Sequence, residues 1–329
     1  MSTLATNYLG LQLKNPIIAA SSGLTNSLSN IIELEANGAA AVVIKSIFEE
    51  EIRLEAEDNF NKMTSQGFIY PETMEYFDYD EMGDPVSDYL KLISDAKAKV
   101  KIPIIASVNC VSAEKWTDFA KRIQDAGADA IELNLFVLPT DSDRSSDENE
   151  RIYFEVIEKV LKVVTIPVAI KISPYHSSLA SFIQRLSRTG ISGIVLFNRF
   201  YNTDFDIHSL EFTSTNVFST PSEIALSLRW VALMADRVDC DLAASTGIHD
   251  GDGAIKQLLA GANAVQVCSA LYRNGFGHIS LMLRQMEQWM KDNGYNSIAD
   301  FKGKMSQSRT YNPAAFERVQ FMKYFRERE

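Results

Sequence analysis

Short apolar runs alternate along the chain with longer stretches whose apolar residues recur at three- and four-residue spacing, and two local signatures mark where the runs begin. In one, a helix end is followed by Gly and then a run: Asn37-Gly38-Ala39-Ala40-Ala41-Val42-Val43, Ala126-Gly127-Ala128-Asp129-Ala130-Ile131, Thr189-Gly190-Ile191-Ser192-Gly193-Ile194-Val195 and Ala260-Gly261-Ala262-Asn263-Ala264-Val265. Gly suits the left-handed residue that closes a helix, and a short, wholly apolar run suits a parallel strand buried on both faces. In the other, Pro precedes the run: Asn15-Pro16-Ile17-Ile18, Ile102-Pro103-Ile104-Ile105 and Ile166-Pro167-Val168-Ala169. Pro at the first strand position costs no ladder hydrogen bond. With Leu242 to Ser245, which lacks the Pro, the two signatures take turns and give eight strands. Amphipathic stretches such as Ala113 to Asp125 and Asn149 to Val164 are the helices between them.

Eight unbroken βα units predict an α/β fold, a closed (β/α)8 TIM barrel. A doubly wound open sheet would show fewer strands and a Gly-x-Gly-x-x-Gly turn, which is absent. The rhythm is interrupted twice, by insertions at Glu49 to Pro85 after strand 2 and at Arg199 to Phe218 after strand 6; in a barrel these lie over the mouth. The whole chain, 1–329, reads as one barrel domain with a core of about 9–295 and a C-terminal helical extension of about 296–329. Within the extension, Pro313 to Arg328 reads as an amphipathic helix, with Phe316, Val319, Met322 and Phe325 packed on the barrel.

Composition narrows the function. A net charge of -11 at pH 7 lacks the clustered Lys and Arg that a nucleic-acid surface needs. No run of about eighteen apolar residues offers a membrane span, and Met1 to Leu11 shows no targeting pattern, so a cytoplasmic protein is expected. Cys110, Cys240 and Cys268 are scattered, which fits neither a disulfide framework nor a zinc site; reduced thiols and no metal are expected.

Barrel chemistry sits where strands end on the C-terminal face. The residues there are Ser21 and Ser22, Lys45 and Ser46, Asn109, Asn134, Lys171, Asn198, Ser245 to Gly247, and Cys268 with Ser269. One Lys or Asn at such a position snorkels or caps a helix without further meaning, but two lysines and three asparagines converging on one mouth point to a ligand. The small residues Ser245-Thr246-Gly247 and Cys268-Ser269-Ala270 after strands 7 and 8 let backbone amides approach a phosphate. Ser219-Thr220-Pro221 reads as a helix N-cap that is able to add a hydroxyl to the same phosphate. A flat phosphorylated cofactor across the mouth, with lysine at the edge that gains negative charge on accepting a hydride, outlines a flavin site.

These residues also carry a resemblance. Tyr8-Leu9-Gly10-Leu11-Gln12-Leu13-Lys14-Asn15-Pro16, Ile44-Lys45-Ser46, Glu132-Leu133-Asn134-Leu135, Ala169-Ile170-Lys171-Ile172-Ser173-Pro174-Tyr175, Leu196-Phe197-Asn198 and Ser245-Thr246-Gly247 resemble the dihydroorotate dehydrogenases, in register from about Leu9 to Tyr272. The resemblance implies FMN as cofactor, hydride transfer between flavin and a small substrate, and a place in pyrimidine biosynthesis. It implies flavin or substrate contacts at Ala20, Ser21, Lys45, Ser46, Asn134, Lys171, Asn198, Thr246, Gly247, Ser269 and Ala270, with Lys45, Asn134, Lys171 and Asn198 nearest the chemistry; the strand-end positions add Asn109 and Ser245 to the expected cofactor contacts.

One loop departs from that family. Where its members carry Asn-Leu-Ser-Cys-Pro-Asn, or Ser for the Cys that takes the substrate proton, this chain reads Asn134-Leu135-Phe136-Val137-Leu138-Pro139, followed by Thr140. Val137 accepts no proton, so the chain is more similar to a dihydroorotate dehydrogenase-like branch of flavin barrels. Cys110, His176, Tyr201 and His208 are the candidates for a substitute base, and Arg199 for a contact to a substrate carboxylate. Two other readings stay open: a Schiff-base lyase on Lys171, and a non-catalytic flavin-binding or assembly subunit. The expected partners are a small substrate, a soluble electron acceptor or partner protein, and a second copy in a homodimer.

Overall fold

The computed structural model describes residues 3–48, 85–109, 120–135, 137–199, 202–215 and 217–317. Eight strands form the barrel: β1 (Ile17–Ala19), β2 (Ala41–Val43), β3 (Ile104–Asn109), β4 (Ala130–Asn134), β5 (Val168–Ile172), β6 (Gly193–Leu196), β7 (Asp241–Ser245) and β8 (Ala264–Val267). Each pairs in parallel with the next, and Val265 of β8 opposite Ile17 of β1 closes the ring. This is the (β/α)8 barrel that the alternating signatures predict, and every run named from the sequence lies on a barrel strand.

Side chains alternate across a strand, so every second residue enters the barrel. The lowest interior layer is apolar and mostly small: Ile18, Ala41, Val43, Ile105, Ala130, Ala169, Val195, Ala243 and Ala264. The alanines make room for a plug. An antiparallel hairpin, Thr6–Tyr8 paired with Leu11–Leu13, sends Tyr8, Leu9 and Leu13 into this layer. Opposite residues on the same strands join a larger core beneath the helices, where each buried Val, Leu or Ile contributes about 1.5–3 kcal/mol. Two residues above the alanines, the same period brings Glu132 on β4, Lys171 on β5 and Gln266 on β8 into the barrel. The floor is apolar and the next layer is polar.

Where the described residues test the remaining expectations, some boundaries move. The helix expected from Asn149 spans Ser146–Leu161, because Ser145 and Glu148 form a capping box that starts it three residues earlier. Only the end of the Ala113–Asp125 stretch is described, and it is helical from Ala120. The insertion after β2 lies outside the described residues from Glu49 to 84. The insertion after β6 is a β-hairpin, Asn202–Asp206 against Glu211–Thr215.

The C-terminal extension is described only as far as residue 317. Up to residue 317 it holds only two short 3-10 turns, Ile298–Asp300 and Pro313–Phe316; the rest of the proposed helix lies outside the described residues. Before Pro313 the segment is tied to the barrel through its backbone. Gly303, Met305 and Gln307 spend their N–H groups on the carbonyls of Leu258, Leu259 and Ala232, at 2.8–2.9 Å, and so grip the outer helices. Donors used this way cannot close helical turns.

Candidate active site

A cavity of about 550 Å³ opens at the C-terminal ends of the strands. Ala20, Ser21, Lys45, Ser46, Asn134, Lys171, Asn198, Ser245, Thr246, Gly247 and Ser269 line it, together with Phe218, Ser219 and Tyr272. Two of the expected residues do not. Asn109, at the end of β3, and Ala270, buried in the first turn of the helix Ser269–Asn274, stand outside the lining.

Lys171 is the center of the polar layer. Its ammonium donates to Gln266 Oε1 at 2.8 Å and lies 3.7 Å from Glu132 Oε1, while Gln266 Nε2 donates to Glu132 Oε2. All three side chains are buried, with 8%, 2% and 1% exposure. Glu132 and Gln266 therefore compensate this lysine from inside the barrel. Glu132 Oε1 and the hydroxyl of Tyr8 remain buried without a hydrogen bond. Burial, reinforced by the Glu132 charge, pushes the Tyr8 phenol well up.

Above this layer Asn198 Nδ2 donates to Asn134 Oδ1 at 2.7 Å, and both side chains line the cavity. On the side of β1 and β2, hydroxyls form a chain: Ser21 Oγ lies 3.1 Å from Ser46 Oγ, and Ser46 Oγ 2.7 Å from Ser107 Oγ. Phe218 and Tyr272, which also line the cavity, stack with centroids 5.1 Å apart.

The loop after β7 is tightly fitted. Thr246 takes φ 75° and Gly247 φ 77°, and a Cβ on Gly247 would stand 2.1 Å from Ile224 N. Left-handed backbone in a threonine is uncommon and marks local strain. After β8, the amides of Leu271 and Tyr272 bond to the Cys268 carbonyl, leaving those of Ser269 and Ala270 as the helix-initiating donors without intrahelical acceptors. Ser219 and Ser269 are joined by the Ser219 N–H at 3.0 Å from Ser269 Oγ. Burial pushes the Cys268 thiol up, so it is not an activated thiolate.

Candidates for a base fare differently. His176 neither enters the cavity nor caps the next helix, whose N-cap is Ser178. It stacks on Phe182 at 4.0 Å and meets Tyr153 edge-on; burial lowers its pKa to about 4. His208 is on the exposed tip of the β-hairpin, its N–H on Asp206. Cys110 and Tyr201 lie outside the described residues. Val137 is partly buried and donates its N–H to Tyr153 Oη at 3.3 Å.

Arg199 lines the cavity but is engaged. Its Nε donates to Glu223 Oε1 at 2.8 Å and its Nη1 to the Val217 carbonyl at 2.9 Å. Burial opposes ionisation of Glu223, yet hydrogen bonds from Arg199 and Thr220 outweigh it and hold the carboxyl below its usual range. The Ser219-Thr220-Pro221 segment does cap a helix start, with Thr220 N–H on Glu223. Among the described residues no helix is long and apolar enough to cross a membrane.

The sequence comparisons agree with this geometry. The family model described as dihydroorotate dehydrogenase matches residues 3–290, and the chain belongs to that family of oxidoreductases. It is 29% identical over 318 residues to the catalytic subunit of dihydroorotate dehydrogenase B (NAD(+)) of Thermoplasma acidophilum, covering 92% of this chain and 99% of the relative. The same subunit from Pyrococcus abyssi is 27% identical, over 91% of this chain and 98% of the relative. The NAD-dependent dihydropyrimidine dehydrogenase subunit PreA of Escherichia coli is 24% identical, over 91% and 76%.

Proposed function

We propose that this protein is an FMN-dependent oxidoreductase that moves a hydride between a small substrate and the flavin. The observation that carries the reading is one cavity lined both by Lys171, Lys45, Asn134 and Asn198 and by Ser219, Ser245, Thr246, Gly247 and Ser269. The donor set suits a flat anionic cofactor: cations and amides for a polar ring edge, hydroxyls and close-packed backbone for a phosphate. When bound, FMN supplies the acceptance and return of a hydride.

The chain's own residues do the rest. Lys171, fixed by Gln266, places positive charge where negative charge develops. Asn198, held on Asn134, presents donors and acceptors to a planar substrate. Phe218 and Tyr272, stacked on each other, add an aromatic surface to the lining.

Dihydroorotate itself is not the favored substrate, because Val137 and Thr140 occupy the positions where the family's proton acceptor and a substrate contact are expected. Arg199, spent on Glu223, is not available as a simple carboxylate anchor. An ammonium hydrogen-bonded to Gln266 and facing Glu132 also speaks against Lys171 as the free amine of a Schiff base. The relatives are named as subunits, which supports a partner protein as electron acceptor.

The test is to load the protein with FMN and add dihydroorotate without oxygen. The flavin is expected to stay oxidised with dihydroorotate and to be reduced by another small substrate found by screening. Rapid bleaching by dihydroorotate would show that a residue other than Val137 takes the proton.

A further inference from the structure

At the end of the cavity beyond β7 and β8, side chains from four segments are joined. Ser219, before the helix Ile224–Met234, lines the cavity and is 4% exposed. Its N–H donates to Ser269 Oγ, and its own Oγ lies 3.0 Å from His249 Nε2. His249 follows β7 and is itself anchored: its carbonyl accepts from His278 Nε2 at 2.6 Å, on the helix His278–Asp292.

A serine hydroxyl carries one proton and two lone pairs. Were that proton given to His249, only lone pairs would face the cavity, a poor surface for an anion. With Nε2–H of His249 as donor, the Ser219 proton is left to donate into the cavity. We propose that His249 is a positioning residue whose Nε2–H holds Ser219 Oγ so that the hydroxyl donates to the phosphate of the bound cofactor. This rests on the FMN reading.

Burial, joined by the Arg273 charge, outweighs Asp250, Ser219 and Glu223 and lowers the pKa of His249. With Nε2 protonated, the imidazole donates to Ser219 Oγ whether or not Nδ1 also carries a proton. The proposal assigns Ser219 and His249 to the phosphate and not to the flavin ring, so the expected effect is specific to the phosphate.

The experiment compares dissociation constants for FMN and for riboflavin, which lacks the phosphate, by quenching of flavin fluorescence at pH 7. The proteins are wild type, Ser219→Ala, His249→Ala, His249→Asn and the Ser219→Ala/His249→Ala double variant. Each alanine variant is expected to weaken FMN about tenfold, the double variant no further, and riboflavin not at all. His249→Asn, whose amide also donates, is expected to recover part of the loss. Equal losses for both flavins, additive losses in the double variant, or no loss would overturn the proposal. Ser219→Ala removes a single hydroxyl, so the comparison stands even if His249→Ala fails to fold. A wild-type protein that binds neither flavin contradicts the FMN reading itself, and the proposal with it.

Discussion

Lys171 and Glu132, on adjacent barrel strands, are joined through an amide from the far side of the ring: Gln266 accepts from the lysine and donates to the carboxylate. The pair is 3.7 Å apart and shut away from solvent, so neither charge is separable from the other. Breaking a buried pair leaves an uncompensated charge and costs about 3–5 kcal/mol, whereas replacing both partners with apolar groups is close to neutral. Glu132→Leu is therefore expected to lose about 3–5 kcal/mol in urea unfolding. Glu132→Leu/Lys171→Met is expected to regain most of that stability while failing to bind FMN. A double variant no more stable than the single one would show that the pair is not the unit.

Gly247→Ala forces a side chain into a left-handed residue and against Ile224 N. Its expected cost is at least about 1 kcal/mol in thermal or urea unfolding, with loss of FMN retention as the loop shifts. Thr246→Gly, at φ 75°, relieves strain and is expected to leave stability unchanged or slightly raised. Equal behavior of the two variants would mean that the loop's backbone shape is not what matters.

His176 gives a pH dependence whose sign is fixed by its burial. With a folded pKa of about 4 against about 6.5 in the unfolded chain, the unfolded state binds more protons between these values. Stability is thus fully present above pH 6.5 and lost progressively as pH falls toward 4. Because the ring is only partly buried, the loss is smaller than the shift alone implies. His176→Phe, still able to stack on Phe182, is expected to flatten this slope in unfolding measured from pH 7 to 4. FMN binding should not change, since His176 is outside the cavity lining; weakened binding would place it in the site after all.

The barrel was legible because its punctuation is local: a Gly or Pro beside an apolar run fixes a strand start without reference to distant residues. The mouth residues followed, since they are the next polar positions on those strands. Glu132 and Gln266 were harder to read. Each sits inside an apolar run, and Gln266 meets Lys171 across a sequence separation of 95 residues. The signal was the period of two, which aligns them with Lys171 above the alanine floor. His249 and Glu223 were hidden for the same reason, their roles being set by neighbors from other loops. The tie between the segment before Pro313 and the barrel was hidden as well, because no local pattern records that Gly303, Met305 and Gln307 bond to carbonyls of other helices.

The most direct test of the FMN site is a titration of the purified apoprotein with FMN, followed by visible absorption and fluorescence quenching, in wild type and in Lys171→Met. The account predicts one FMN per chain with a perturbed flavin spectrum in wild type, and binding weakened at least tenfold in the variant. A wild-type protein that leaves the spectrum of added FMN unchanged would contradict it.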